Sequence, residues 1–284
     1  TRPDLVSGIA PGHITLINYG VLAVIEWALA IGAIRHLRRE GMPLGFYYSP
    51  PDLDHPGYRD TSRPAKDNYY GEPYRPEWPL YLAYMELQLG ELLSRYGQVP
   101  VLWFDGFKET PYSPDRFVSL VRRMQPGTLI NNRLGAHGDF DISENVFPRR
   151  IPTRRRPIVQ GTPSRVVKAD ISAEVPPLAE FRPWETCLPI NETWSYNPND
   201  KNFKTAPELI RILVEIASRG GNFLLNVGPK PDGTIQPEVE QILLAIGLWI
   251  KTNGSAIYDT VYGPIQGQTA VRSTARGDRV FIHV

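Results

Sequence analysis

The chain has 284 residues, 42% hydrophobic and 21% charged, with a formal net charge of +1. That length accommodates one α/β barrel or two smaller domains around a sizeable core, and the near-neutral balance argues against a nucleic acid or a membrane surface as partner. The single cysteine, Cys187, excludes an internal disulfide and a multi-cysteine metal site, and His13, His36, His55, His137 and His283 show no ligand spacing, so neither a metal nor an organic cofactor is expected.

The first twenty residues lack the basic start, apolar run and small-residue cleavage site of a secretory signal, so the expectation is a soluble chain, cytoplasmic or secreted with its signal removed. Short apolar runs then alternate with helical patterns, which predicts βα units around a parallel sheet. A strand at 13–18 leads into a helix at 21–40, whose apolar stretch is interrupted by Glu26 and falls short of the ~20 residues a membrane span needs. Gly41 stops that helix, and a strand follows at 44–49. A long loop rich in Pro, Tyr and charge precedes a helix at 78–96 that ends at Gly97.

Next come a strand at 99–105, a helix at 114–124 with Ser113 as N-cap and Pro114 at its first position, and a strand at 128–132. The segment 146–183 is longer still and holds a basic cluster, Arg149, Arg150, Arg154, Arg155 and Arg156. Loops of such length serve as lids or binding walls, and the cluster, having no interleaved aromatics, reads as a solvated loop suited to an anionic glycan. A helix at 206–219 closed by Gly220, a strand at 223–227 and a helix at 238–252 complete the alternation. Beyond them the alternating runs 270–273 and 279–284 predict a β-hairpin.

Chemistry is expected from carboxylates. In Val101-Leu102-Trp103-Phe104-Asp105-Gly106 four apolar residues run into an aspartate and a glycine, and Glu144 occupies a similar place 39 residues on. Carboxylates at successive strand ends suit glycosidic bond cleavage, in which one attacks the sugar and the other handles the leaving-group proton. Taken alone, Asp105 is equally a structural residue at a turn or helix start. Trp103 precedes Asp105 by two and so faces the same side of a strand. By residue type alone, Trp103, Tyr48, Arg133 and Trp194 read as core as readily as contact.

A resemblance adds weight. Val101–Gly106, Gly45-Phe46-Tyr47-Tyr48-Ser49, Asn131-Asn132-Arg133, the run 138–144, Trp184-Glu185-Thr186-Cys187 with Trp194-Ser195-Tyr196-Asn197, and the run 218–229 occur in order. Together they resemble the α-L-fucosidases of glycoside hydrolase family 29, over about residues 37 to 258. The resemblance implies a TIM-like (β/α) barrel, possible transfer of fucose besides hydrolysis, and retention of configuration. Asp105 is then the nucleophile forming a fucosyl-enzyme intermediate, and Glu144 the acid/base, ~5–5.5 Å away. It further implies that the Tyr48 hydroxyl lies beside the nucleophile while Tyr47 points away, that Arg133 is a donor near sugar or acid, and that Trp194 packs against the fucose methyl. Glu185 is the rival acid/base; Glu144 holds the family acid's place, which makes Glu185 a structural or orienting partner.

The family also carries a His-Trp motif and a Lys-His-His-Asp-Gly motif ahead of the tyrosine strand. Neither occurs in the roughly 45 residues available here, and His13 is the only substitute. The expectation is therefore a family core trimmed at both ends, with a catalytic barrel at 1–254 and a hairpin remnant of a β-sandwich at 255–284. Too few strands are readable to close eight, so a loop, the terminal hairpin or a second copy of the chain would cover the open edge. Fucosylated oligosaccharides or glycoconjugates are the implied partners. The alternative is a fucose-binding protein that keeps the fold core without turnover; the presence of both Asp105 and Glu144 argues for chemistry.

Overall fold

The computed structural model describes residues 39, 41–64, 71–106, 113–134, 138–145, 148, 151–154, 175–266 and 271–284. The expected strand at 13–18 with His13, nearly all of the helix at 21–40, and every arginine of the basic cluster except Arg154 lie outside them. The chain divides into two compact units, one formed by Leu22–Phe140 and one containing Asp141–Val284.

In the first unit β1 (Phe46–Tyr48), β2 (Val101–Phe104) and β3 (Leu129–Ile130) form a parallel sheet in the order β1-β2-β3. Tyr48 pairs with Phe104, and Phe46 and Ile130 both pair with Leu102. These residues share the face that packs into the core with α1 (Trp78–Arg95) and α2 (Pro114–Met124). Helix α1 buries Trp78, Tyr81, Leu82, Met85, Leu89 and Leu93, the stripe of a 3.6-residue period, and Gly97, at φ +70°, turns the chain after it. Pro114 opens α2 as expected, but Ser113 sits at φ +50° and makes no side-chain cap, so the proline alone marks that start. The described parts of the loop after β1 are packed, with buried Tyr58 stacked on Trp78 at 5.9 Å and buried Arg59 donating to the carbonyls of Leu53, Asp60 and Arg63.

In the second unit β4 (Asp141–Glu144), β5 (Trp184–Pro189) and β6 (Asn222–Asn226) form another parallel sheet in that order. Trp184, Leu188, Phe223 and Leu225 lie on one face and pack with α3 (Ala206–Ala217) and α4 (Pro237–Asn253). Thr205 and Glu208 form a reciprocal capping box at the start of α3. Gly221 has no room for a side chain, since a Cβ there would lie 2.4 Å from the Trp184 ring. Strands β7 (Val261–Tyr262), β8 (Arg272–Arg276) and β9 (Arg279–His283) make an antiparallel sheet, one strand more than the hairpin expected. It is tied to α3 by the Arg272–Glu215 ion pair, Nε to Oε2 at 2.6 Å.

The α/β class is as the sequence predicts, and among the described residues the parallel strands form two three-stranded sheets and no closed barrel, in keeping with the few strands readable from the sequence. Among those residues, too, no helix is long and apolar enough to cross a membrane.

Candidate active site

The two candidate carboxylates fall in different units. Asp105 directly follows β2, where Gly106 at φ +82° turns the chain sharply; a Cβ on Gly106 would also meet Pro51 at 2.9 Å. The Asp105 backbone N–H donates to the Tyr48 carbonyl at 3.0 Å. Its carboxylate receives the Tyr47 hydroxyl on Oδ2 at 2.9 Å and Arg133 Nη1 on Oδ1 at 2.7 Å. Tyr47 pairs in register with Trp103 and stacks on its ring at 5.7 Å, and the Arg133 guanidinium lies 4.9 Å from the centroid of the same ring. Trp103 is thus buried beneath two groups that hold the carboxylate, with the arginine in cation–π contact with its ring.

This corrects the expectation for the tyrosine pair. Tyr48 turns toward α1, where its hydroxyl donates to Gln88 Oε1 at 2.8 Å, and Tyr47 is the residue beside Asp105. Side chains alternate along a strand, so Tyr47, Trp103 and Asp105 share one face while Tyr48 and Phe104 share the core face.

In the second unit Glu144 ends β4 in register with Cys187. Successive register pairs place Ile142, Glu144, Glu185, Cys187, Asn222, Leu224 and Asn226 on the face opposite the helices. Glu185 is buried and accepts from Asn222 Nδ2 at 2.6 Å, a bond that joins β5 to β6 one turn of the pleat below Glu144. Cys187 is buried.

Trp194 lies on the loop after β5, which is held from several sides. Asn226 Nδ2 donates to the Trp194 carbonyl at 2.7 Å, and the backbone at Tyr196 approaches Gly228 so closely that a Cβ there would stand 2.6 Å away. Asp200 Oδ2 accepts from the N–H groups of Glu192 and Thr193 at 3.0 and 3.1 Å, and its Oδ1 from Asn202 N–H at 3.1 Å. Burial works to raise the Asp200 carboxyl, but these donors together outweigh it and leave it below the ordinary value. Lys204 Nζ caps the carbonyls of Pro189 and Asn191, each at 2.7 Å, and burial pushes its ammonium below lysine's usual range.

His13 lies outside the described residues, and among those described no cluster of His, Cys, Asp and Glu could hold a metal. Sequence reading missed Tyr47, whose place follows from the register with Trp103, and the bracing role of Asp200. The latter carried a local signal, an Asx-type acceptor in Asn197-Pro198-Asn199-Asp200.

Comparison with known proteins gives the setting for these residues. The family model for α-L-fucosidase matches residues 30–255. The tissue α-L-fucosidase of Macaca fascicularis is 28% identical over 265 residues, covering 86% of this chain and 48% of the relative. An α-L-fucosidase of Branchiostoma floridae is 34% identical over 254 residues, covering 84% and 48%. Among solved structures, α-L-fucosidase isoenzyme 1 from Paenibacillus thiaminolyticus superposes with a TM-score of 0.72 at 31% identity, over 89% of this chain and 59% of that one. The Thermotoga maritima α-fucosidase gives 0.64 at 26% identity, over 89% and 53%. The chain spans about half the length of the curated relatives it matches. With a match over most of its length, this chain belongs to the α-L-fucosidases of glycoside hydrolase family 29.

Proposed function

We propose that the chain acts as a retaining exo-α-L-fucosidase on terminal α-L-fucosides of oligosaccharides or glycoconjugates. The observation that carries this reading is the strand-end Asp105 carboxylate held between the Tyr47 hydroxyl and the Arg133 guanidinium, in a chain of the fucosidase family. Asp105 attacks the fucose anomeric carbon as the glycosidic C–O bond breaks, and Glu144 gives its proton to the departing oxygen. In the second step Glu144 takes a proton from water, the water oxygen bonds to the anomeric carbon, and Asp105 leaves as a carboxylate. Tyr47 and Arg133 are donors aimed at the oxygens on which that charge reappears, so their contribution is greatest there. Trp194 on its braced loop is proposed to meet the fucose methyl, and a sugar hydroxyl replacing water would give transfer of fucose.

The architecture proposed with this activity is an irregular TIM-like catalytic part over 1–254 and a β extension over 255–284. The test is fucose release from an aryl α-L-fucoside by the folded chain beside Asp105→Ala and Glu144→Ala. Loss with Asp105→Ala, and a loss with Glu144→Ala that is smaller for a good aryl leaving group than for a glycan, are expected. A folded wild-type chain that releases no fucose from either substrate overturns the proposal.

A further inference from the structure

Strands β2 and β3 stay in register only as far as Leu102 and Ile130; at Asn131 the backbone leaves β2 and bridges to Phe140 instead. The ladder would stop there, two residues short of Phe104. The Asn131 side chain takes over: its Oδ1 accepts from the Phe104 N–H at 3.0 Å and its Nδ2 donates to the Phe104 carbonyl at 2.9 Å. Asn131 is fully buried, so its carboxamide serves as an artificial strand residue that water does not replace.

The Phe104 carbonyl belongs to the peptide whose N–H is that of Asp105, and that N–H donates across the sheet to Tyr48 at 3.0 Å. The peptide that carries Asp105 is therefore pinned at both edges, by β1 on one side and by the Asn131 amide on the other, immediately before the sharp turn at Gly106. The Asn131 backbone is closely packed on its other side, where a Cβ on Gly138 would lie 2.5 Å from it.

We propose that Asn131 is a positioning residue for the nucleophile: it extends the β2–β3 ladder by one side-chain-made pair and so sets the height of Asp105 above the sheet. This rests on the reading of Asp105 as nucleophile. No other residue type fits as well. Aspartate and leucine keep the outline but lose the donor or both groups, and glutamine carries one methylene too many for a buried site.

The experiment is a cycle of variants assayed on an aryl α-L-fucoside, with Asn131→Ala placed in two backgrounds. One background is the native chain; the other is Asp105→Gly supplied with sodium azide, where the external nucleophile does not depend on the position of residue 105. A loss of about 10- to 100-fold in kcat with the native Asp105, against less than about threefold in the azide reaction, is the expected result. An equal loss in both backgrounds, or none in the first, overturns the proposal. If Asn131→Ala does not fold, Asn131→Asp, which keeps the acceptor and loses the donor, is read in the same way. Full activity of Asp105→Gly without azide instead refutes the nucleophile itself. Should the folded wild-type chain release no fucose, hydrogen exchange at the Phe104 amide still decides: faster exchange in the Asn131 variant supports the clamp, and unchanged protection overturns it.

Discussion

Replacing Tyr47 by phenylalanine removes one hydroxyl and leaves the ring that stacks on Trp103. A hydrogen bond to a charged group is worth ~1.5–3 kcal/mol, and since the Asp105 side chain is 24% exposed, solvent replaces part of it. The lower part of that range converts to a rate loss of about 10- to 30-fold. In the proposed mechanism the loss falls on the second chemical step, where Asp105 would depart as a carboxylate, because the donor faces a charge that is absent in the intermediate. Rapid-mixing kinetics with an aryl fucoside therefore shows a burst of phenol followed by slow turnover for Tyr47→Phe, with kcat and KM both lowered. Tyr48→Phe serves as the internal control. Its hydroxyl bonds Gln88 in the core, so it costs about 0.5–1.5 kcal/mol of stability and leaves kcat unchanged. A wild-type kcat in Tyr47→Phe together with a lowered kcat in Tyr48→Phe would refute the register on which the site is built.

The remaining predictions bear on outcome, loop and core. Proton NMR during hydrolysis of an aryl α-L-fucoside shows α-L-fucose as the first anomer formed; β-L-fucose first would exclude the double displacement. Asp200→Asn lowers Tm at neutral pH. The Asp200 carboxyl is depressed in the fold, so its stabilisation is complete above the ordinary value of 3.8 and is lost as pH falls through the lower folded value. Wild-type and variant melting curves therefore converge in strong acid, and a constant gap down to the most acidic pH contradicts the assignment. Gly138→Ala forces a Cβ against the Asn131 backbone and costs about 1–3 kcal/mol in urea unfolding, with a fall in kcat. Leu225→Ala, which empties a fully buried site on β6, costs about 2–5 kcal/mol in the same measurement.

The sequence by itself determined the parts whose causes are local. Helix α2 begins and ends where Pro114 and the residues after Met124 place it, and α1 follows from the apolar period that starts at Trp78. The apolar run closing on Asp105 and Gly106 marked a strand end, because a buried strand of hydrophobic residues followed by a carboxylate and a glycine has few other conformations. The order of motifs placed the chain in its family. Strand β5 was less legible: Trp184-Glu185-Thr186-Cys187 mixes buried polar and apolar residues on both faces, so it shows no alternation until its neighbours are known.

Tertiary structure decided what depends on pairing. Whether Tyr47 or Tyr48 meets Asp105 is a choice of phase between two strands distant in the chain, Tyr47 and Asp105 being 58 residues apart, and only the register with Trp103 and Phe104 resolves it. The use of Asn131 as a substitute strand residue is invisible for the same reason, since its two bonds close over 27 residues of chain. Local sequence sets the repeat of side chains along a strand; which face of that repeat becomes a site is set by the neighbour it pairs with and by the helices that cover the other side.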